Sequence, residues 1–336
     1  MNQEIARKFD QIEPMIGNTP LLDISFTYKG NQRHIFAKAE YYNLSGSIKD
    51  RVAFYILKRA YEQGTLKAHD TIAEATSGNT GIAFSAMGSY LGHPVEIYMP
   101  DWMSRERISL MESYGAHVRL VSREENGFLG SIAMTRELAK KGDVFLPEQF
   151  SNQENIQAHF YMTGEEIARQ LKKIGIVPDG VVAGVGTGGT IMGLARRLRE
   201  ENSACRAFPL EPLNSPTLST GYKVGHHRIQ GISDEFIPSI LNLKELDEVV
   251  SIDDGDAIIM ARMLSEKLGI GVGVSSGANF VGCVMAQEKF GAGANMVTVF
   301  ADDNKKYLST DYSDPQEMKD TYYTKDIELL GVTALR

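Results

Sequence analysis

The sequence predicts an α/β fold built on parallel sheets. Short β-rich runs alternate with helical periods along most of the 336 residues, and the runs are too short and too regularly spaced for an all-helical or all-β chain. The length suits two domains or one large α/β unit with ample core. Strands alternating with helices imply right-handed crossovers, and ligands in such folds gather on the loops that lead from strand ends into helices.

The elements follow in order. An apolar run covers 35–41. A loop of small and turn-forming residues, Asn43-Leu44-Ser45-Gly46-Ser47, then opens on a helix over 49–64, with Val52, Tyr55, Ile56 and Ala60 on one face and a stop at Gly64. Strands are expected at 71–75, 95–99, 118–121 and 144–146, with helices at about 79–91, 104–114 and 128–141 between them. One longer helix, about 154–171, leads to a strand at 181–185 and a helix at 189–201. Later strands fall at 206–210, 249–252 and 296–301, with a helix at about 276–290. The stretch 213–238 has turn residues and little periodicity; a loop that long is usually functional or disordered.

Composition narrows the class. Apolar residues make up 43% and charged residues 23%, ordinary for a globular chain, and a net charge of −8 argues against nucleic acid as the main partner. Only two cysteines are present, Cys205 and Cys283, both in apolar contexts, so a disulfide scaffold is not expected and a reducing, cytoplasmic setting is. No run approaches the ~20 apolar residues of a membrane span, and the N-terminus lacks the apolar core of a secretory signal.

Five segments could carry chemistry. Lys49 stands where a loop meets a helix, a place from which a lysine can form a Schiff base with an aldehyde cofactor, although a lone lysine decides nothing. Thr76-Ser77-Gly78-Asn79-Thr80 lies between a strand and a helix. Its backbone N–H groups, hydroxyls and amide suit a carboxylate, while ordinary helix capping is the plainer reading. Gly184-Val185-Gly186-Thr187-Gly188-Gly189-Thr190 reads two ways. Its glycines match G-x-G-x-x-G, and Glu211 lies 211 − 189 = 22 residues beyond Gly189, as in a dinucleotide site; Thr187 and Thr190 suit a single phosphate monoester better. The loop alone leaves both open. Gly273-Val274-Ser275-Ser276-Gly277 precedes another helix, and Gln149 follows the 144–146 strand as a solvated residue or a carboxylate donor. His226-His227 is expected to be solvated loop, and no Cys or His pair has metal-ligand spacing.

Taken together the segments resemble the fold-type II pyridoxal-phosphate (PLP) enzymes of the cysteine synthase and cystathionine β-synthase family. The matching stretches are Ile16 to Leu21, Gly46 to Arg51, Thr76 to Thr80, Gly186 to Thr190, Ile229 to Ile232 and Ser275 to Gly277, in the family's order, with 79 − 49 = 30 residues from Lys49 to Asn79. The resemblance implies a tryptophan synthase β-like fold of two parallel-sheet α/β domains with PLP between them. The expected division is 1–152, of which about 20–42 crosses to the other domain, and 153–336. Lys49 would hold PLP and shuttle the substrate α-proton, Asn79 would bond the 3′-oxygen, and Gly186, Thr187, Gly188, Gly189 and Thr190 would hold the phosphate. Ser275 would bond the pyridine nitrogen, and Thr76, Ser77, Thr80, Gln149 and Gly231 would surround the amino-acid substrate. The implied reaction is β-replacement or β-elimination on a serine derivative or L-cysteine through an aminoacrylate. The family also implies a homodimer.

The chain departs from the family pattern in one informative place. Cysteine synthases carry G-I-G-A-G-F and cystathionine β-synthases G-I-G-Y-D-F where this chain reads Gly231-Ile232-Ser233-Asp234-Glu235-Phe236. Asp234 matches neither pattern. A carboxylate at the mouth of the site would repel anionic sulfide and could act as a base toward water or a thiol, so L-cysteine becomes a rival substrate with hydrogen sulfide leaving. Leu44 and Ala75 stand where the family commonly has proline. The tail beyond about 313 lies outside the matched segments and could pack at a dimer interface.

Overall fold

The computed structural model describes residues 1–232 and 236–336. Asp234 and the neighbouring Glu235 lie outside the described residues.

The chain opens with α1 (Gln3–Ile12), then the hairpin β1 (Leu21–Tyr28) and β2 (Asn31–Ala39). Next come α2 (Lys49–Gln63), β3 (Thr71–Ala75), α3 (Asn79–Leu91), β4 (Val95–Pro100), α4 (Arg105–Ser113), β5 (His117–Val121), α5 (Gly127–Ala139) and β6 (Val144–Phe145). The second half runs α6 (Glu154–Ala158), a π-helical turn (His159–Gly164), α7 (Glu165–Lys173), β7 (Gly180–Gly184), α8 (Gly189–Glu201), β8 (Arg206–Pro212) and α9 (Thr217–Thr220). It closes with β9 (Val250–Ile252), α10 (Asp254–Leu268), α11 (Val274–Phe290), β10 (Met296–Phe300) and β11 (Ile327–Leu335).

Two sheets result. The smaller is wholly parallel, in the order β5-β4-β3-β6; the larger runs β11-β1-β2-β10-β7-β8-β9. The larger sheet is mixed, since β1 pairs antiparallel with both β2 and β11 while β10, β7, β8 and β9 are parallel. The tail beyond 313 is therefore no loose appendage: it adds an edge strand to the β1–β2 hairpin. Its burial alternates only weakly, which is why it gives little sequence signal.

The core follows the two-residue period of buried strands. In β7, Val182 faces a cluster with Phe26, Phe208 and Phe280, whereas Val181 and Ala183 face the opposite cluster with Ile191 and Leu194 of α8. In β10, Met296 and Phe300 take the first side, Val297 and Val299 the second. Helices thus cover both faces of the parallel part. A third cluster joins α1 through Phe9, α2 through Val52, Ile56 and Leu57, and the small sheet through Ile72 and Ile97.

The expected helix 154–171 is interrupted. The π turn from His159 brings its backbone against α8, where Gly193 leaves room: a Cβ there would come within 2.5 Å of the His159 Cβ and 2.7 Å of the Ile156 carbonyl oxygen. A close contact between two helices thus breaks a period that the local pattern reads as continuous. Helix α10 was not among the expected elements, nor was α1.

Candidate functional site

The site lies in a cleft lined largely by polar side chains and by glycine backbone. Loops at the carboxyl ends of β3, β7 and β10 and the starts of α2, α3, α8 and α11 build it.

Lys49 is the first residue of α2 and lines the cleft. Its placement depends on the two residues that follow it. Asp50, fully buried, accepts from the Ser45 amide (2.9 Å) and hydroxyl (2.6 Å) and from the Ser47 amide (3.3 Å), which closes the loop before the helix. Arg51 is buried and bidentate to Glu40 (2.6 and 2.8 Å) and to Glu166 (2.7 and 2.8 Å), tying the helix start to the end of β2 and to α7. Glu166 also pairs with Lys38 at 2.8 Å, and these cations hold its carboxyl down at about 2 against the opposing effect of burial.

The turn before α3 depends on a close approach. A Cβ on Gly78 would lie 2.3 Å from the Cδ of Arg107, so the arginine stem lies flat on the glycine. Thr76 Oγ1 accepts from the Gly78 amide at 3.0 Å, and Thr80 donates its hydroxyl to the Gln149 side-chain carbonyl at 2.6 Å. Gln149 is buried, with its amide nitrogen donating to the Ala75 carbonyl at 2.8 Å, so it is no solvated loop residue. Behind it, buried Glu74 accepts from the Gln149 and Ala75 amides; burial pushes its carboxyl up to about 8.

The glycine loop before α8 is a cradle that side chains would fill. A Cβ at Gly186 would meet the Gly231 carbonyl oxygen at 2.5 Å, and one at Gly189 would meet Asn155 Oδ1 at 2.0 Å. Gly188 has φ +85, which favours glycine. Thr187 Oγ1 accepts from Asn155 Nδ2 (3.0 Å) and the Gly189 amide (3.3 Å). Thr190 Oγ1 lies 3.3 Å from His159 Nε2. Burial first, and then the positive charges of Lys49 and Arg51, keep that histidine well below its ordinary pKa, so it is a neutral imidazole. First-turn amides of α8 have no carbonyl partner within the helix, a terminus suited to receiving an anion.

Ser275, in the first turn of α11, and Gly231 also line the cleft. The structure thus gathers the described candidates of the sequence analysis around one cavity: Lys49, Thr76, Ser77, Asn79, Thr80, Gln149, Gly186, Thr187, Gly188, Thr190, Gly231 and Ser275 line it, and Gly189 is the first residue of α8 in the same loop. Asp234 lies outside the described residues. Three side chains were missed. Arg107 lines the cleft, hydrogen-bonds Gln230, and stacks over the Tyr307 ring at 4.8 Å. Asn155 supports the cradle, and Asp302 stands behind Asn79. None has a local motif, because each acts from a different element across the fold.

The dinucleotide reading of the glycine loop loses its acid. Glu211 is fully buried and accepts from the Leu218 and Ser219 amides and from the Ser219 and Ser251 hydroxyls, so it anchors α9. His226 is exposed and His227 half-buried, and both line a wider vestibule outside the cleft with Trp102, Arg123 and Phe128. Cys205 and Cys283 are buried and form no disulfide; burial pushes the Cys205 thiol up to about 12 and raises that of Cys283 as well.

A family model described as pyridoxal-phosphate dependent enzyme matches residues 12–302. The chain belongs to this family. As a PLP enzyme it has relatives over nearly its whole length. A cysteine synthase of Staphylococcus aureus is 36% identical over 301 residues, covering 90% of this chain and 96% of that protein. A probable cysteine synthase of Bacillus subtilis is 40% identical over 298 residues, covering 88% and 95%. The solved structure of a hydrogen sulfide-producing enzyme from Fusobacterium nucleatum superposes with a TM-score of 0.96 at 58% identity, covering 98% of this chain and 99% of that one. An aspartate-to-asparagine variant of such a hydrogen sulfide-producing enzyme has been solved with an α-aminoacrylate intermediate.

The cleft fits the family's cofactor on its own chemistry. It offers an amine, a backbone cradle of anion-binding amides, a serine hydroxyl, and a buried Asn79 Oδ1 with no partner among the described residues. Among the described residues no group of three or more metal-ligating side chains occurs, and no helix is long and apolar enough to cross a membrane.

Proposed function

We propose that this PLP enzyme releases hydrogen sulfide from L-cysteine and adds water or a second thiol at the β-carbon. The 58% identity to the hydrogen sulfide-producing enzyme, against 36% and 40% to the cysteine synthases, carries this preference. The second reading is cysteine synthesis from an activated serine and sulfide, which those two relatives favour by name.

PLP, when bound, supplies an electron sink for charge developing on the amino acid. In our reading Lys49 Nζ would hold the cofactor and would serve as the base for the substrate α-proton. Gly186, Thr187, Gly188, Gly189 and Thr190 would hold the phosphate through backbone amides and hydroxyls, aided by the dipole of α8. Asn79 would bond the 3′-oxygen. Ser275 would meet the pyridine nitrogen with a neutral hydroxyl, which would leave the ring a weaker sink and favour prompt loss of the β-substituent. Thr76, Ser77, Thr80 and Gln149 would bind the substrate carboxylate, with Gly231 beside the substrate, and the Thr80–Gln149 bond orients two of these side chains before substrate arrives. Asp234 serves as the base toward the incoming water or thiol.

We also read the small sheet with its helices as the domain of 1–152, with β1 and β2 given to the larger domain of 153–336. The protein is taken to act in the cytoplasm as a homodimer, a setting compatible with its two cysteines outside any disulfide.

The deciding experiment mixes purified holoenzyme with L-cysteine alone, and separately with O-acetyl-L-serine plus sulfide. Faster sulfide release with serine formation supports the proposal; turnover only in the second mixture overturns it. Asp234→Asn should lose most sulfide release, and undiminished release would remove Asp234 from the reading.

A further inference from the structure

We propose that Asp302 is a positioning residue that fixes the Asn79 amide and so sets the proton preference of whatever is held against Asn79. The inference rests on the reading of Asn79 as a cofactor-facing residue.

Asp302 follows β10 and is fully buried. Its Oδ2 accepts from Asn79 Nδ2 and from the Tyr307 hydroxyl, each at 2.8 Å. Both donors line the cleft, so Asp302 stands directly behind its wall. Its place is crowded: a Cβ on Gly273 would come within 2.2 Å of Asp302 Oδ1. Neither Asp302 Oδ1 nor Asn79 Oδ1 has a hydrogen-bond partner among the described residues, although both are buried.

A side-chain amide has a donor end and an acceptor end, whereas a carboxylate only accepts. Asn79 must therefore turn Nδ2 toward Asp302, because the reverse orientation would set two oxygens against each other. The acceptor Oδ1 is left as the unsatisfied end, with one further Nδ2 hydrogen as the remaining donor. Leaving a buried acceptor unmatched is costly, so Oδ1 favours an oxygen that still carries its proton. The negative charge of Asp302 acts in the same sense, since a nearby anion raises the proton affinity of its neighbours. Asp302 thus shifts the cofactor's phenolic oxygen toward hydroxyl and away from oxyanion. A neutral residue at 302 would let the amide turn and present Nδ2, which favours the oxyanion.

The test is the absorption spectrum of the holoenzyme, with bound cofactor quantified after release. In Asp302→Asn the ratio of visible to near-ultraviolet absorption should rise severalfold at unchanged cofactor content, with kcat for L-cysteine altered more than KM. Asp302→Ser is read in the same way if the asparagine variant does not fold. Asn79→Ala is measured alongside. If it alters the spectrum while the Asp302 variants leave it superimposable on the parent, the inference is overturned and the reading of Asn79 stands. If neither position alters it, the reading of Asn79 falls and takes the inference with it. Loss of cofactor with no change in the ratio marks a merely structural role for Asp302 and also overturns the inference.

Discussion

The hydroxyl of Thr80 donates to the side-chain carbonyl of Gln149 across 2.6 Å, joining the first turn of α3 to the loop after β6. Two segments 69 residues apart in sequence thereby present one surface to the cleft. Removing either partner leaves the other buried and unmatched. Gln149→Ala should raise KM for the amino-acid substrate about tenfold, the effect of a lost hydrogen bond of about 1.4 kcal/mol, and leave the holoenzyme spectrum unchanged. Steady-state kinetics beside a visible spectrum checks both halves.

Lys49→Ala should abolish turnover, by on the order of 10³-fold or more, since no other lysine lines the cleft among the described residues. The visible absorption of the bound cofactor should vanish with it. Thermal melting should show a folded chain, because the side-chain bonds of Asp50 and Arg51 at the start of α2 remain in place.

The buried ion network around Arg51 sets a stability prediction. Arg51→Met leaves Glu40, fully buried, without its main cation, and Glu166 without one of two. Loss of about 3–5 kcal/mol is expected in urea unfolding, the range for breaking one side of a buried pair. Glu166→Gln should cost less, because Arg51 keeps Glu40.

Glu74 makes stability depend on pH with a definite sign. Its carboxyl is raised from the ordinary 4.5 to about 8 by burial, so the native state holds a proton that the unfolded state gives up. The stabilisation is complete below the ordinary value and is lost as pH rises through about 8. Glu74→Gln cannot ionise and should flatten this part of the curve, by at most about 1.4 kcal/mol per pH unit. Denaturant midpoints of parent and variant across that window decide it. Equal slopes would show that Glu74 is ionised throughout.

Much of the parallel core was legible in the sequence because it is locally encoded. The strands at β3, β4 and β7 and the helices at α3 and α8 fall within a residue or two of their expected bounds, since period and capping chemistry are properties of neighbouring residues. The break at His159 was not legible, because it answers to Gly193 on another helix. The tail strand β11 was missed because an edge strand with one exposed face carries a weak pattern.

The sequence by itself determined the alternation of elements, the turns that carry the site, and the lysine, glycine and serine residues placed on them. Each of these is a short-range property: a turn needs its glycine and a helix start its donors wherever the segment ends up. Only the tertiary structure decided that Gln149 is a tied and buried partner of Thr80, that Glu211 anchors α9, and that Arg107 and Asp302 stand against the cleft. Those roles arise from contacts between elements far apart in the chain, where burial makes each unmatched polar group costly and so fixes which partner it must have.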